Sequence, residues 1–394
     1  VCTDQFSIKG EDMTEKECSE GQPDTKILLP MAPYPADGAA AIKPPRLDQP
    51  CVSGWLEGPS GKVPRVTASL KREDRWGTIK ARFGVGRMHY TVDPGLYALG
   101  QPDEDSPVLV TANYKMSFDS LRGSLPGRNA WILVLDSKGI NVWCAAGKGT
   151  FGTEELLRRI SASGLKDMVK HRDLILPQLG APGVAAHLVK KFSGFKVHYG
   201  PIHAGDLPTY LDAGMKATPA MRLKTFPLKE RVVLIPIELI EAIKAALIII
   251  PVMLIIIGFS GREGFMQNIQ GDGVFSLIAI LGAIFAGTVL NPILLPYLPG
   301  RAFTTKGLTL GFLTALALIY MLGDNLQSLH GVLEASAWLL MVCAITAYLA
   351  MNFTGASTYT SLSGVKKEMR WALPLEIGTG VSGLAVWFVS RFVF

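Results

Sequence analysis

The chain has 394 residues, 48% of them hydrophobic and 18% charged, with a formal net charge of +6 at pH 7. That length accommodates two or three domains; the charged residues gather before Arg231 and the apolar excess follows it, so the bulk values average a water-soluble half and a membrane half. The modest positive charge fits the cytoplasmic loops of a membrane protein and not nucleic-acid binding, and the scattered Cys2, Cys18, Cys51, Cys144 and Cys343, with no CxxC pair, exclude a disulfide framework and a structural zinc site.

Residues 1–62 read as a proline-rich leader, in which Pro30, Pro33, Pro35, Pro44, Pro45 and Pro50 break any periodicity. The first twenty residues show neither the basic nor the apolar run of a signal peptide. Ordered structure is expected from Val63, and residues 63–218 read as one α/β domain. "PVLVTAN" (107–113) and "AWILVLD" (130–136) are short, branched and bounded by polar residues, as buried strands are. "SFDSLRGSL" (117–125) between them predicts a short helix, and "INVW" (140–143) a further strand. "TEELLRRISAS" (153–163) predicts a helix capped by Thr153, with Glu154 and Glu155 at its positive end. "GVAAHLVKKFSG" (183–194) predicts a second helix and "FKVHYGPI" (195–202) a strand. Strands alternating with helices imply packed α/β layers.

A basic linker follows at residues 219–231. Beyond it, about 232–259, 274–298, 307–323, 332–353 and 371–394 form five apolar segments, each near the ~17–25 residues that cross a bilayer. Arg222, Lys224, Lys229, Arg231, Arg301, Lys306, Lys366, Lys367 and Arg370 fall on one side of these segments, against Arg262 and Arg391 on the other. The positive-inside rule then places the soluble domain in the cytoplasm and the C-terminus outside. Glu238, Glu241 and Lys244 share a helical face in the first segment; pairing of Glu241 with Lys244 at the interface accounts for them better than a transport pathway. Met341 and Cys343 in the fourth segment read as packing residues.

The chemistry concentrates in "NVWCAAGKGTFGT" (141–153). Cys144 stands before Ala145, Ala146 and Gly147, side chains small enough for a flat, bulky ligand to approach the backbone, and Gly147, Gly149 and Gly152 permit a tight turn. A P-loop is excluded, because Val142 and Gly149 stand where that motif needs glycine and Ser or Thr. Cys144 is open to three readings on these grounds: a buried filler, a ligand to a metal or cofactor, or a nucleophile. The candidate bases His89, His171, His187, His198 and His203 are not paired with it by any spacing.

"TANYKMSFDSLR" (111–122), "GINVWCAAGKGTFGTEEL" (139–156), "PQLGAPGVAAH" (177–187) and "SGFKVHYGPI" (193–202) together resemble the corrinoid-binding domain of the corrinoid iron–sulfur protein of the acetyl-CoA pathway. "NVWCAAGK" joined to five C-terminal spans resembles the mercury-methylating corrinoid membrane proteins. The resemblance implies a Rossmann-like corrinoid-binding domain followed by an all-α five-helix transmembrane domain. It implies a base-off cobalamin whose cobalt takes Cys144 as its lower axial ligand and catalytic thiolate. Asn141, Trp143, Ala145, Ala146, Gly147 and Lys148 then form the cap, and Val142, Gly149, Thr150 and Thr153 are further cofactor-binding residues. Thr111, Asn113 and Ser117 fall in a first cofactor-contacting loop, Gln178, Gly180 and Gly183 in a second, and Tyr199 and Gly200 in a third. The implied activity is transfer of a cobalt-bound methyl group to Hg(II) by an inner-membrane protein of an anaerobe. A methyl-tetrahydrofolate-type donor and a ferredoxin-like iron–sulfur reductant are implied as partners. The alternatives are a membrane-anchored methyl carrier for another acceptor and a metal-ion transporter. Cys2, Cys18 and Cys51 lack ferredoxin spacing, so the chain supplies no cluster ligands of its own.

Overall fold

The structure is a computed structural model that describes residues 43–59, 61–260, 264–322, 326–356 and 362–393. All of these residues except Lys43 belong to one compact unit, Pro44–Phe394. Most of the leader, with Cys2 and Cys18, lies outside the described residues.

The first part is an α/β domain. In chain order it runs β1 (Val52–Gly58), β2 (Gly61–Val66), α1 (Arg72–Arg82), β3 (Gly95–Leu99), β4 (Val108–Ala112), α2 (Lys115–Gly123), β5 (Ala130–Leu135), α3 (Val142–Lys148), α4 (Thr153–Ala162), α5 (Leu165–Met168), β6 (Asp173–Leu176), α6 (Ala186–Ser193), β7 (Lys196–Tyr199) and α7 (Leu207–Asp212). The seven strands form one mixed sheet in the order β1-β2-β3-β5-β4-β6-β7. The block β5-β4-β6-β7 is parallel throughout, β3 runs antiparallel to β5, and β1 and β2 form an antiparallel hairpin at the edge.

The central strands are apolar on both faces because helices cover both. Trp131, Leu133 and Leu135 of β5 face a core built with α3, α4 and α6, through Ala145, Leu156, Ile160 and Val189. Ala130, Ile132 and Val134 face the opposite core, with Phe118 and Leu121 of α2 and Leu207 and Tyr210 of α7. The period of two along each strand thus produces a three-layer domain.

Three sequence expectations are corrected. Among the described residues, strand structure begins at Val52, inside the stretch read as leader, because the proline-free run 51–58 pairs with 61–66 as a hairpin. "INVW" is not a strand: Asn141 caps a helix that starts at Val142, its side chain accepting the backbone N–H of Cys144 at 2.8 Å. Thr153 is the first residue of α4 and not its cap; Gly152 holds that position, and the Thr153 hydroxyl instead accepts the backbone N–H of Ala185 at 2.8 Å.

The second part is helical: α8 (Leu228–Val232), α9 (Ile235–Ser260), α10 (Phe265–Asn268), α11 (Val274–Phe285), α12 (Asn291–Leu294), α13 (Phe303–Leu322), α14 (Leu329–Ala356) and α15 (Leu362–Phe392). Among the described residues, five helical stretches, Leu228–Ser260, Phe265–Leu294, Phe303–Met321, Leu329–Phe353 and Gly364–Phe392, are long and apolar enough to cross a membrane. π-helical turns at Ile269–Gly273 and Ala286–Leu290 flank α11. Ala283, Ala315, Ala337 and Val342 let the helices approach closely around Trp338 and Trp387. Glu241 and Lys244 form the expected pair at 2.7 Å. Met341 packs in the helical core, and Glu334 is bonded by Arg391.

Candidate functional site

β4 lies between β5 and β6 in the sheet, so the chain leaves β4 toward one neighbour while the other neighbour belongs to a later unit. In open parallel sheets such a switch point opens a crevice at the carboxyl ends of the strands, where ligands bind. A cavity of about 460 Å³ lies at that place, lined by Leu109–Thr111 of β4, by Tyr114, Met116, Ser117, Ser120 and Leu121 in and beside α2, and by Ile175–Pro177 at the end of β6. Asn141, Val142 and Trp143 form another wall, and Val233, Leu234 and Ile237, where the chain enters α9, a further one.

The turn that presents Asn141 is shaped from β4. Asn113 is buried, and its side-chain oxygen accepts the backbone N–H groups of Ser137 and Gly139, both at 3.1 Å. Asn141 then caps α3, and Cys144 falls at the third helical position, half-buried, with a free thiol. Cys144 follows directly on Trp143 but is not itself among the cavity-lining residues. α3 ends at Gly149, whose φ of 80° is the left-handed conformation that glycine adopts without strain.

Ala145 and Ala146 point away from solvent into the domain core. The loop 178–185 packs against them. A Cβ on Gly183 would lie 2.1 Å from the Phe151 carbonyl oxygen and 3.0 Å from the Ala146 Cα, and one on Gly180 would lie 2.7 Å from the Phe151 ring. The small residues of the motif therefore serve close packing of α3 on its neighbour, while Gly147, Lys148 and Gly149 are exposed. Thr153 and Tyr199 tie the same loop down, Thr153 through Ala185 and the Tyr199 hydroxyl by donating to the Val184 carbonyl at 2.6 Å.

Of the residues singled out from sequence, the structure brings Thr111, Ser117, Asn141, Val142 and Trp143 to the cavity. Asn113, Gly180, Gly183, Thr153 and Tyr199 stand behind that wall and position it. Thr150 lies in the turn after α3, Gln178 is bonded by Arg222 of the linker, and Gly200 packs against Ile175 of β6.

Sequence reading missed the basic wall. Arg82, Arg87, His203 and Lys224 line the cavity, and no Asp or Glu does so among the described residues. Lys224 is paired with Glu230 at 2.7 Å, and the Arg87 guanidinium reaches the Ala81 carbonyl at 3.5 Å. The Arg82 Nε and the Tyr114 hydroxyl are buried with no hydrogen-bond partner among the described residues. Burial pushes the Tyr114 hydroxyl above its usual pKa, with Arg87 and Arg82 pulling the other way. Buried polar atoms without partners are costly, and two of them belong to residues of this cavity wall. No spacing rule could have joined Arg82 to Trp143 or Ile237.

A quartet of buried charges holds this wall. Lys115 bonds Asp74 at 2.6 Å and Asp119 at 2.5 Å, and Arg122 bonds both carboxylates at 2.7 Å. It links α1 to α2. Burial would raise the Asp74 pKa, but Lys115, the Lys71 backbone N–H and Arg122 outweigh it and hold the carboxyl below its ordinary range. No group of three His, Cys, Asp or Glu side chains suited to a metal ion occurs among the described residues. Cys144 is a thiol adjoining the cavity, Met116 brings a thioether to its wall, and Cys51 is buried with its thiol pKa pushed up by that burial.

Comparison with known proteins bears on this domain. The family described as CO dehydrogenase/acetyl-CoA synthase delta subunit matches residues 83–211, a stretch that contains α3 and most of the cavity lining but not Arg82, Lys224, Val233, Leu234 or Ile237. The acetyl-CoA decarbonylase/synthase complex subunit gamma of Methanopyrus kandleri is 34% identical over 123 residues, which is 31% of this chain and 26% of that protein. The same subunit of Methanocaldococcus jannaschii is 38% identical over 97 residues, 24% of this chain and 20% of that protein. That of Archaeoglobus fulgidus is 30% identical over 140 residues, 34% of this chain and 29% of that protein. The chain thus spans about a quarter of the length of these relatives. The family match belongs to the α/β domain, and the five apolar helices lie outside its residues 83–211.

Proposed function

We propose that the chain is a membrane-embedded, corrinoid-dependent methyltransferase, with a Rossmann-like corrinoid-binding domain and Hg(II) as the methyl acceptor. One observation carries the reading. The first turn of α3 forms a wall of the switch-point cavity, and Cys144 stands in that turn with its backbone fixed by Asn141.

The residues present suit such a group. The wall offers unpartnered polar atoms at Arg82 and Tyr114, hydroxyls at Thr111, Ser117 and Ser120, and apolar surface from Leu109, Val142, Trp143 and Leu179, the mixture typical of cofactor sites. A corrinoid bound against this wall would supply the methyl-transfer chemistry, and Cys144, next to the cavity-lining Trp143, is the residue that would ligate its cobalt. Thiolate is a soft, strongly donating ligand, so Cys144 would favour release of an electron-rich methyl group to a soft electrophile such as Hg(II). Asn141 fixes the turn from which that sulfur projects. Trp143, Val142 and Leu179 exclude water, and Arg82, Arg87 and Tyr114 orient polar groups on the opposite wall. A methyl-tetrahydrofolate-type donor and a ferredoxin-like iron–sulfur reductant complete the proposed cycle. The five helices hold the protein in an inner membrane with the α/β domain on the cytoplasmic side.

The test is a visible absorption spectrum of the purified, corrinoid-loaded protein beside a Hg(II) methylation assay. Cys144→Ala is expected to alter the corrinoid band and abolish methylation while the protein still inserts. Cys144→His, a harder donor, is expected to keep a ligated spectrum and transfer more slowly. Full activity in Cys144→Ala would overturn the assignment. If the wild type methylates a different acceptor and not Hg(II), the corrinoid reading survives and the mercury reading does not.

A further inference from the structure

α1 and the chain that follows it carry a surface the fold leaves unused. Trp76, Ile79, Phe83, Val85 and Met88 are each between 43% and 63% exposed. Arg72, Arg75 and Lys80 are exposed among them, and the Lys80 ammonium lies 6.0 Å from the centre of the Trp76 ring. Of the two acidic residues of α1, Asp74 is turned inward to Lys115 and Arg122, which leaves Glu73 as the exposed one. The ion quartet fastens this segment to α2, so the apolar side chains are held out by a rigid support.

The position of the patch identifies what covers it. A Cβ on Gly84 would lie 3.0 Å from Ile237 and 4.0 Å from the Glu241 carboxylate, so the segment abuts α9 between those residues. Lys244 is the last charged residue of α9, and Ala245–Ser260 carries none. At 1.5 Å per residue, Glu241 stands about 6 Å and Ile237 about 12 Å before that uncharged stretch. The headgroup layer on each side of a ~30 Å hydrocarbon core is about 5–7 Å deep. Phe83, Val85 and Met88 flank Gly84 and so lie at or just outside headgroup depth. A second group of exposed apolar residues, Leu223, Leu228 and Val232, sits in the linker that enters α9, interleaved with Arg222, Lys224 and Lys229.

We propose that the surface from Trp76 to Met88 rests on the bilayer beside α9 as an interfacial wedge, its occupant being lipid with anionic headgroups. Aromatic side chains favour that depth, and basic residues interleaved with them favour anionic lipid. A protein partner could also cover exposed apolar side chains. Contiguity with α9 and the excess of cations decide for lipid. The α/β domain is then laid on the membrane and not tethered above it, with Arg82 and Arg87 of the same segment reaching the cavity. This inference rests on the reading of the apolar helices as membrane spans.

The experiment uses the full chain in vesicles of phosphatidylcholine and phosphatidylglycerol, with lipids brominated either near the glycerol or near the chain end. The Trp76 contribution is the fluorescence difference between wild type and Trp76→Phe. It is expected to be quenched, and more by the shallow bromines than by the deep ones. It is expected to lose that quenching in the double variant Val85→Asp, Met88→Asp, and to weaken in Arg72→Glu, Arg75→Glu. Tryptophans of the apolar helices, Trp371 among them, serve as the control for insertion. A Trp76 contribution that lipid does not quench while the helix tryptophans are quenched overturns the proposal. A Trp76 contribution untouched by brominated lipid yet shielded from acrylamide shows a protein covering the patch and overturns it as well. Loss of quenching at every tryptophan instead shows that the membrane reading itself has failed.

Discussion

The side-chain oxygen of Asn141 accepts the backbone N–H of Cys144 at 2.8 Å, so the residue that caps α3 also fixes the residue proposed to ligate cobalt. Replacing an N-cap by alanine costs about 1 kcal/mol. Asn141→Ala is expected to raise hydrogen exchange across 142–148 and to weaken corrinoid binding, whereas Asn141→Ser, which keeps a capping oxygen, should leave both near wild type. Equal effects of the two substitutions would show that the cap is not what positions Cys144.

Gly183 tests the support beneath the same helix. An added methyl there meets the Phe151 carbonyl oxygen and the Ala146 Cα, both backbone atoms that cannot swing aside. Gly183→Ala is expected to destabilise the α/β domain by about 1–3 kcal/mol, the usual cost of overpacking. It should also lower corrinoid affinity, although Gly183 does not line the cavity. Unchanged thermal stability and affinity would refute that account of α3.

Tyr114 separates a role in stability from a role in binding. Its buried hydroxyl has no partner among the described residues, so removing it leaves no stranded acceptor. Tyr114→Phe should leave the unfolding temperature unchanged or slightly raised. If the hydroxyl serves the ligand, corrinoid affinity falls by up to about tenfold, as loss of a hydrogen bond of ~0.5–1.5 kcal/mol implies. A titration followed by absorbance measures this, and unaltered affinity would remove Tyr114 from the site.

Asp74 predicts a pH dependence. Its native pKa is held below its ordinary value, about 3.9 in an unfolded chain. The folded state therefore binds fewer protons than the unfolded state between the two values. The stabilisation is fully present above about pH 4 and is lost as pH falls through the depressed native value. Asp74→Asn, which strands Lys115 and Arg122, is expected to cost about 3–5 kcal/mol at neutral pH. The gap to wild type, read from hydrogen exchange of α1 and α2, should narrow in acid. A gap that is constant with pH would exclude the ion quartet as its cause.

The elements legible in the sequence were short branched runs, helical patterns between them and long apolar stretches. β4, β5, α2, α4, α6 and β7 fall where those patterns put them, although Gly152 and not Thr153 caps α4, and the five apolar helices match the apolar runs. "INVW" misled because Ile, Val and Trp favour strands, while the deciding contact, the Asn141 oxygen on the Cys144 amide, is a local capping bond that apolar patterning cannot reveal. β6 is only four residues long, and α1 keeps its apolar residues on the outside, so neither resembled an ordinary core element. Within the site, the motif around Cys144 was visible as composition. Its partners Arg82, Arg87, Tyr114 and Ile237 were not, since they meet only when distant parts of the chain converge on one crevice.

If the apolar helices span a bilayer as proposed, that convergence would tie the cavity to the membrane mechanically. Val233, Leu234 and Ile237 line the crevice and belong to the chain that begins the first apolar helix, so a change in the tilt of α9 moves one wall of the pocket. Two equilibria that share a wall share a free energy, and the coupling is reciprocal. A bilayer whose thickness favours one tilt should change the affinity of the cavity, and a filled cavity should resist the tilt that thinner or thicker lipid imposes. On the proposed reading, corrinoid affinity measured in lipids of graded chain length would report on the helix, and the fatty-acid composition of the bilayer would tune the cavity.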